Sequence, residues 1–381
     1  MFYDEVNEMK MTGAQAVIEC LKREQVQVVF GYPGGAVLTL YDELYKAKFP
    51  HVLTGHEQGA VHAADGYARA TGKPGVCFAT SGPGVCNMVT GIATANMDSI
   101  PLVVISGQVA TPLIGRDSFQ EADISGITTP ITKHNYLVKN VKELPRVLKE
   151  AFYIATTGRP GPVLVDIAKD VFDTPFEFEY PEEVHLRGYQ GHHVGNEADV
   201  DHAVEAIEKA KRPVILTGGG VVLSNMSDRL KHIVQQMHVP VVTTLMGKGC
   251  VPDTYDAHLG MVGMHGSYAA NMAVTKCDLL VAIGARFDDR VTGDVENFAP
   301  NAQIVHFDIV EINKIVHADI SVNGDLRWSL PLLDEKLAAH ETHLADRYGE
   351  WRTFVLDMKA AHPFATRDLP DAVSPQKLFE E

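Results

Sequence analysis

Residues 53–72 of this 381-residue chain read LTGHEQGAVHAADGYARATG, and the organisation of the chain follows from them. A short apolar run at residues 51–53 ends in a Thr-Gly turn, and a helix is predicted to start near His56. The buried face of this helix is predicted from small and apolar residues at helical spacing: Ala60, Val61, Ala64, Tyr67 and Ala68. Glu57 lies in the first turn, where the helix dipole favours a carboxylate. Position alone therefore favours a structural role for Glu57 at a helix start.

Apolar runs alternate with helical segments along the first half of the chain. Helices are predicted over residues 12–24, with Thr12 as N-cap, and over 37–46, 85–96 and 141–157. Strands are predicted over residues 26–30, 75–80, 100–106 and 162–167. This alternation predicts an α/β domain with a parallel sheet and helices on both faces. Such sheets bind ligands at the carboxyl ends of their strands, where the turns GYPGGA (31–36), GHEQGA (55–60) and TSGPG (80–84) lie.

A second α/β unit is predicted to begin near residue 199. Its strands are predicted over residues 213–217, 239–245, 278–283 and 303–308. The triplet Gly218-Gly219-Gly220 follows the first of them, and it fits a tight strand–helix turn as well as a phosphate-binding loop. The run GARFDDRVTG, residues 284–293, follows a buried strand, a position that favours ligand contact over plain surface charge. Residues 330–359 are predicted to be helical and residues 360–372 to form a loop.

Three segments interrupt this pattern. Residues 111–131 are long and mixed in composition, as functional loops of α/β proteins often are. Residues 173–196 lose all periodicity and are predicted to be a linker, in which His192 and His193 are solvated rather than metal ligands. Ser374 and Pro375 have the sequence of a new helix start, and the chain stops soon afterwards. The chain is therefore expected to be truncated.

Composition narrows the range of functions. A length of 381 residues suggests two or more domains, and 45% hydrophobic with 22% charged residues is typical of a soluble protein. A formal net charge of −16 argues against a nucleic-acid or membrane surface as partner. The five cysteines include no C-x-x-C pair, so we expect free thiols in a reducing cytoplasm rather than disulfides or a zinc site. We see no signal peptide and no run long enough to span a bilayer.

The motifs together resemble the catalytic subunits of acetohydroxyacid synthase, also called acetolactate synthase, a thiamine-diphosphate enzyme family. The resemblance covers roughly residues 1–325 and rests on an ordered set: GYPGGA, GHEQGAVHAADGYARATGKPGV, TSGPG, SFQEAD, RPGPVLVDIAKDV and GARFDDRVTG. It implies two doubly wound parallel-sheet α/β domains. These are a pyrimidine-binding domain over residues 1–172 and an FAD-binding, Rossmann-like central domain over residues 197–359, joined by a linker over 173–196. It also implies a third, diphosphate-binding domain that is missing here, with residues 360–381 as the linker towards it.

The resemblance also implies a reaction. The family is a group of transferases that condense two 2-ketoacids with loss of CO₂, joining pyruvate to pyruvate or to 2-ketobutyrate in branched-chain amino-acid biosynthesis. The implied cofactors are thiamine diphosphate, FAD and Mg²⁺, with the metal ligands in the missing domain. The implied assembly is a cytoplasmic homodimer or homotetramer with a small regulatory subunit. Residues 1–381 alone are therefore expected to be inactive.

Roles for individual residues follow from the same resemblance. Glu57 matches the acid that hydrogen-bonds the aminopyrimidine ring of the cofactor, since a carboxyl group in an apolar wall can share a proton with a ring nitrogen. The cofactor then does the carbanion chemistry. The implied catalytic residues are Glu57, Gln120 and Lys169. The implied substrate contacts are Gly35, Ala36, Phe119, Lys169 and Arg290. The implied cofactor contacts in the first domain are Tyr32, Pro33, Gly34, Glu57, Pro83, Asn87 and Arg159.

The central domain supplies a second set of implied cofactor contacts. Glycine-turn amides and arginines suit a pyrophosphate. Arg290 also matches an arginine that receives a carboxylate, and a surface ion pair with Asp288 or Asp289 is the alternative. The implied cofactor contacts are Gly218, Gly219, Gly220, Thr244, Leu245, Met246, Gly263, Met264, His265, Gly284, Ala285, Arg286, Asp288, Arg290, Val291, Asp308, Ile309, Gly324 and Asp325.

Other functions share some of these features. Pyruvate oxidase has both the acid and FAD, but SFQEAD and GARFDDR favour the synthase. A glyoxylate-condensing relative lacks an acid at the position of Glu57. A non-catalytic flavin-binding module would agree with the missing third domain. The presence of Glu57, Gln120, Lys169 and Arg290 argues against that module.

Overall fold

The computed structural model describes residues 9–310, 312–338, 341–364 and 371–380. The chain divides into two compact units, Met1–His192 and His193–Glu381. Each unit has its own parallel sheet and its own buried apolar clusters. The predicted α/β class with two parallel-sheet domains is confirmed.

The first unit is built around a six-stranded parallel sheet. Its elements are β1 (Met9–Thr12), α1 (Gly13–Arg23), β2 (Val29–Gly31), α2 (Leu38–Lys46), β3 (His51–Leu53), α3 (Glu57–Thr71), β4 (Gly75–Ala79), α4 (Pro83–Cys86), α5 (Val89–Asp98), β5 (Leu102–Gln108), α6 (Ile124–Thr128), β6 (His134–Val138), α7 (Leu144–Thr156), β7 (Pro162–Ala168), α8 (Lys169–Asp173) and β8 (Pro175–Phe178). The sheet has the order β3-β2-β4-β5-β7-β6. The chain leaves β2 first towards β3 and later towards β4, so the topological switch point lies beside β2, where ligands bind in such sheets.

Helix α3 lies directly against strand β4. A Cβ added to Gly75 would stand 2.2 Å from the carbonyl oxygen of Ala64, so helix and strand are in backbone contact. The Nδ1 atom of His56 accepts a hydrogen bond from the Gln58 N–H at 3.1 Å, and Gly72 ends the helix with φ +69°. The predicted start near His56 is therefore confirmed. Because both ends and the inner face are fixed, the first residue of α3 has a defined place at the end of β3.

The second unit has the strand order of dinucleotide-binding folds. Its elements are α9 (Glu197–Lys209), β9 (Pro213–Thr217), α10 (Gly219–Leu223), α11 (Ser227–Met237), β10 (Val241–Thr243), β11 (His258–Met261), α12 (Tyr268–Lys276), β12 (Leu279–Ile283), α13 (Asp289–Thr292), β13 (Gln303–Asp308), β14 (Ile320–Asn323), α14 (Leu326–Leu337), α15 (Glu341–Arg347), α16 (Gly349–Ala361) and α17 (Pro375–Glu380). The parallel strands lie in the order β11-β10-β9-β12-β13-β14. The switch point is between β9 and β12.

The predicted linker over residues 173–196 is wrong in its first half. Residues Pro175–Phe178 form β8, which pairs antiparallel with β1, and Phe176 and Phe178 are buried. The Arg23 guanidinium lies 5.5 Å from the ring centroid of Phe178 and 5.5 Å from that of Tyr180. The segment packs because its aromatic residues alternate with acids, giving one buried and one exposed face. The first unit accordingly extends to His192 instead of ending at residue 172.

Other boundaries also differ from the predictions. Strands β1, β6, β11 and β14 were not predicted, the helix predicted over 85–96 divides into α4 and α5, and the one predicted over 330–359 divides into α14, α15 and α16. Of the predicted loop over 360–372, residues 365–370 lie outside the described residues, and α16 extends to Ala361. The predicted helix start at Ser374 is confirmed, because its Oγ accepts a hydrogen bond from the Lys377 N–H at 3.2 Å. None of the described helices is long and apolar enough to cross a bilayer.

Candidate active site at the ends of the first sheet

Glu57 is a buried carboxylate at the switch point of the first sheet. Its side chain is on the first turn of α3, and the residue is 8% exposed. The Nδ2 atom of Asn87 donates a hydrogen bond of 3.0 Å to its Oε2 atom. Asn87 ends α4, which follows β4, so the donor and the acid come from the segments after β4 and β3, the two strands on either side of β2. A carboxylate in this position is oriented by a dedicated partner, which a helix-start acid without another role does not need.

Glycines form the wall beside this carboxylate. A Cβ on Gly84 would stand 3.3 Å from Oε1 of Glu57 and 2.7 Å from Cγ2 of Thr80. A Cβ on Gly34 would stand 2.5 Å from the same Thr80 methyl carbon. The Thr80 hydroxyl in turn accepts a hydrogen bond from the Ala36 N–H at 3.1 Å. The turns at residues 31–36 and 80–84 thus meet at Thr80, which was not predicted from the sequence, and Glu57 of the third turn lies beside Gly84.

The turn after β2 has open space at Gly35. A Cβ added to Gly35 would have no atom within 4 Å, and Tyr32 is 42% exposed. Pro33 is partly buried, and Pro83 is the first residue of α4. A buried carboxylate with one oxygen held by an amide can share a proton with the nitrogen of a flat heteroaromatic ring through its other oxygen. The residues present therefore fit the aminopyrimidine of thiamine diphosphate.

The loop that carries Gln120 lies against the turn after β4. Gly82 has φ +59°, and a Cβ there would stand 2.3 Å from the carbonyl oxygen of Gln120. Gln120 itself has φ +58°, a conformation that is uncommon outside glycine. The Phe119 side chain beside it is 87% exposed. The predicted pair Phe119 and Gln120 is thus placed next to the turn that follows Thr80.

The same loop is closed by an acid of its own. The Glu121 carboxylate accepts hydrogen bonds from the backbone N–H groups of Ser118, at 2.9 Å, and of Gly115. These backbone hydrogen bonds lower the pKa of Glu121. Since the charged form is the one that accepts both bonds, the loop is held in this shape by an ionised side chain.

Lys169 is the first residue of α8 and is exposed at the carboxyl end of β7. Its neighbour Asp170 accepts hydrogen bonds from the Thr111 N–H at 2.8 Å and from the Thr111 hydroxyl at 3.1 Å. Thr111 opens the loop that carries Gln120. Asp170 therefore ties the segment of Lys169 to the segment of Gln120, a link that the sequence pattern did not reveal.

Arg159 has partners within the first unit. Its Nε atom donates to the Ser99 hydroxyl at 2.8 Å, and its guanidinium donates to the carbonyls of Asn96 and Met97, at 3.4 Å each. These bonds hold the C-terminal end of α5, where unpaired carbonyls favour a cation. A flavin contact for Arg159 stays a prediction.

The glycine triplet of the second unit serves close packing between two loops. The Gly218 N–H donates to the Ile283 carbonyl at 2.9 Å, and the Gly220 N–H donates to the Gly284 carbonyl at 3.0 Å. A Cβ on Gly218 would stand 2.2 Å from the Gly284 carbonyl oxygen, and Gly284 has φ +60°. The tight-turn interpretation of the triplet is therefore sufficient to explain these glycines. The turn also places them at the switch point between β9 and β12.

The other predicted cofactor residues of this unit lie at the carboxyl ends of its strands. Exposed apolar side chains occur there, with Leu245 at 68% and Met264 at 64% exposure. Arg290 forms an ion pair of 3.7 Å with Asp289, and both side chains are mostly exposed, so the pair contributes little. The remaining members are placed at these ends as follows: Thr244 and Met246 after β10; Gly263 and His265 after β11; Ala285, Arg286, Asp288 and Val291 after β12; Asp308 and Ile309 at β13; and Gly324 and Asp325 after β14.

The described residues offer no metal centre. Within residues 9–310, 312–338, 341–364 and 371–380, no group of three or more His, Cys, Asp and Glu side chains could hold a metal ion. The described cysteines are all free. That this chain supplies no ligands for Mg²⁺ stays a prediction.

Comparison with known proteins shows which protein family the chain resembles. Residues 11–127 match the N-terminal TPP binding domain of thiamine pyrophosphate enzymes, and residues 200–333 match their central domain. The acetolactate synthase large subunit of Corynebacterium glutamicum is 48% identical over 97% of this chain and 60% of its own length. The probable acetolactate synthase large subunit of Methanocaldococcus jannaschii is 53% identical over 83% of this chain and 54% of its own length. The acetolactate synthase isozyme 3 large subunit of Escherichia coli is 45% identical over 97% of this chain and 66% of its own length. The chain thus spans roughly three fifths of the length of the relatives that it matches.

Proposed function

Because the chain belongs to the thiamine pyrophosphate enzymes, as a relative of acetolactate synthase large subunits, we propose that it forms the pyrimidine-binding and flavin-binding parts of an acetolactate synthase. The reaction joins pyruvate to pyruvate or 2-ketobutyrate with loss of CO₂. In this proposal the enzyme is a cytoplasmic homo-oligomer, and the relatives' designation as large subunits supports a small-subunit partner. The observation that carries the proposal is the buried Glu57 with its Asn87 partner and glycine wall.

Glu57 acts on a proton at its carboxylate. Thiamine diphosphate, when bound, supplies a carbanion equivalent at its thiazolium ring. Glu57 would share a proton with a ring nitrogen of the bound cofactor, while Asn87 keeps Oε2 of Glu57 in place. Gly34 and Gly84 allow Thr80 to pack closely against both turns, which fixes the turns beside Glu57. The chain thereby orients the ring and shares one proton with it.

Two further residues act on the substrate. Lys169 is an exposed cation at the end of β7, where it attracts the carboxylate of a 2-ketoacid. The backbone of Gln120 lies next to the turn after β4, its side-chain amide is proposed to contact substrate, and its neighbour Phe119 adds an exposed apolar surface. Arg290 in the second unit is proposed to bind the carboxylate of the second ketoacid, because its weak ion pair leaves the guanidinium exposed.

Substitution of Glu57 tests this proposal. Glu57→Gln in the complete synthase removes the shared proton but keeps the Asn87 side of the site, so we expect turnover to fall ~10²–10⁴-fold. Glu197→Gln is the matched control, since it removes an exposed first-turn acid from α9. Acetolactate formation and circular dichroism are measured for both. Unchanged turnover in Glu57→Gln with an intact fold would remove Glu57 from the mechanism.

We further propose that the second unit binds FAD along the carboxyl ends of its strands. Support comes from the 3-2-1-4-5-6 strand order and from the exposed Leu245 and Met264 at that edge. The flavin is bound without net redox change, so a flavin spectrum that stays oxidised during turnover is expected. Met264→Asp should reduce the flavin released on denaturation, whereas Tyr45→Asp, at an exposed apolar site of the first unit, should not. Absence of flavin from the protein after reconstitution with FAD would contradict the proposal.

The diphosphate and Mg²⁺ complete the cofactor. We propose that both are held by residues outside those described, in the part of the synthase that aligns with the remaining length of the relatives. The expectation that residues 1–381 alone form no acetolactate stays a prediction. Its test is an assay with pyruvate, thiamine diphosphate, Mg²⁺ and FAD, and acetolactate from the isolated chain would contradict it.

A further inference from the structure

A buried polar cluster lies beneath the loop that carries Gln120. Asp166 is 1% exposed in the middle of β7, and Ser106 and Gln108 are 0% and 4% exposed on the neighbouring β5. The Ser106 hydroxyl donates to Oδ1 of Asp166 at 2.6 Å, and Nε2 of Gln108 donates to Oδ2 at 2.9 Å. The three side chains share the face of the sheet that holds Val104 and Leu164, which belong to the apolar core. The cluster thus continues that core at the carboxyl end of the sheet.

The hydrogen bonds fix the Gln108 amide in one orientation. The Val109 N–H donates to Oε1 of Gln108 at 2.9 Å. Both hydrogens of Nε2 are used, one on Asp166 and the other on the carbonyl oxygen of Ala122 at 3.2 Å. A flipped amide would place oxygen against two acceptors and nitrogen against a donor. Asp166 therefore selects the orientation in which Gln108 holds Ala122.

Ala122 lies two residues after Gln120 in the same loop. Gln120 is held against Gly82 from one side, as its positive φ and the close approach of its carbonyl show. Gln108 holds the loop from the other side through Ala122. The position of Gln120 relative to the turn after β4 is therefore set by two contacts, of which one depends on the buried cluster.

We propose that Asp166 and Gln108 are positioning residues for the Gln120 loop, with the carboxylate orienting the amide that holds the carbonyl of Ala122. The proposal rests on the proposed function, because it takes Gln120 as the residue that faces substrate. A purely structural role is the alternative. Burying a polar acceptor between two donors costs free energy that an apolar side chain in its place would not, so a hydrogen-bonding role for Asp166 explains its presence better. Burial raises the pKa of Asp166 to about 6, consistent with that cost.

Exchanging the amide and the carboxylate between positions 108 and 166 tests the bond to Ala122 separately from the bond between these two side chains. Gln108→Glu combined with Asp166→Asn keeps one amide, one carboxylate and the net charge in the cluster. The introduced carboxylate at position 108 still accepts from Val109 and from the new amide at position 166, but it presents an acceptor to the Ala122 carbonyl. Asp166→Asn alone is the conservative variant. Its oxygen can accept from Gln108 while its amide donates to the Ser106 hydroxyl, so the bond to Ala122 survives.

Hydrogen exchange on the 381-residue chain reports the loop directly. We expect the amides of residues 113–123 to exchange about 10-fold faster or more in the double variant and in Asp166→Ala. In Asp166→Asn these amides should exchange at the rate of the unsubstituted chain. Helix α5 is the internal control segment. Gln108→Met also leaves the Ala122 carbonyl without its donor and should accelerate the same amides. It replaces the double variant if that variant fails to fold. Normal loop exchange in the double variant or in Gln108→Met would overturn the proposal, and so would equal acceleration in Asp166→Asn.

Turnover in the complete synthase distinguishes this proposal from the proposed function. A displacement of ~1 Å costs up to ~10²-fold in rate, so kcat should fall ~10–100-fold in the double variant and be largely rescued in Asp166→Asn. Gln120→Ala tests the role of Gln120 itself. If Gln120→Ala has normal turnover, the proposed catalytic role fails, and loop exchange alone then decides whether Asp166 and Gln108 position the loop.

Discussion

Lys133 is a largely buried amine that holds the end of helix α7. Its Nζ atom donates to the carbonyls of Ile154 and Thr157, the latter at 2.7 Å, and to the Tyr189 hydroxyl at 3.1 Å. Burial, together with the nearby Arg159 charge, lowers its pKa to about 8. The amine thus caps a helix and also anchors the segment that follows β8.

The lowered pKa of Lys133 predicts a pH dependence of stability. Between pH 8 and pH 10.5 the unfolded chain keeps the proton that the folded chain has released, so folding becomes more favourable as pH rises through this window. Relative to Lys133→Met, which does not titrate, the native protein should gain about 1–3 kcal/mol across it. Urea unfolding at pH 7.5, 9 and 10.5 measures this difference, with the exposed Lys139→Met as control. A difference in unfolding free energy that does not change with pH would show that folding does not lower the pKa of Lys133.

At the scale of elements, the docking of α3 on β4 decides where Glu57 lies. The contact is between backbones, with Ala64 over Gly75. On the opposite face of α3, Gly66 is exposed and has open space around it. The two glycines therefore respond to the same substitution in opposite ways.

Gly75→Ala should destabilise the protein by about 1–3 kcal/mol, because the added methyl group forces the helix away from the sheet. Gly66→Ala should stabilise it by ~0.5–1 kcal/mol, since alanine has the higher helix propensity and nothing obstructs its methyl group. Thermal or urea unfolding of both variants measures the two signs. Equal effects would mean that α3 is not in backbone contact with β4.

The elements that the sequence predicted are the ones with buried, regular patterns. β9 and β13 were predicted with the bounds that the structure gives them, and both lie inside their sheet. The missed strands β6, β11 and β14 are all at sheet edges, where only part of each strand is buried. A half-exposed strand of four or five residues has no continuous apolar run, so its pairing depends on the neighbour rather than on its own sequence.

The candidate site likewise contains residues that were predicted from the sequence and residues that were not. Motif residues such as Glu57 and Gln120 were predicted by resemblance, and the turns that carry them were predicted at strand ends. Thr80, Gln108 and Asp166 were missed as a set, because their partners come from other strands. One signal was present: Asp166 interrupts the apolar run PVLVDIA, and a charge inside a buried strand requires a partner.

At the scale of the whole molecule, each unit has the features of an independently folding domain. Each has a six-stranded sheet covered on both faces by its own buried clusters. We expect residues 1–192 and 193–381, expressed separately, each to unfold in one cooperative transition. Urea titrations followed by circular dichroism test this, with the full chain as reference. A fragment that shows no cooperative transition would mean that its core depends on the other unit.

The pairing of β1 with β8 has a consequence for biosynthesis on the ribosome. The two strands form a two-stranded sheet, yet they are separated by about 160 residues of chain. At ~5–20 residues per second, β1 waits roughly 10–30 s for its partner to be translated. Strands β2 to β5 can pair in that interval, but β1, the first of these strands to emerge, is among the last to be paired. A nascent chain that stalls before residue 175 would therefore present β1 as an open edge, available to chaperones or to another nascent copy.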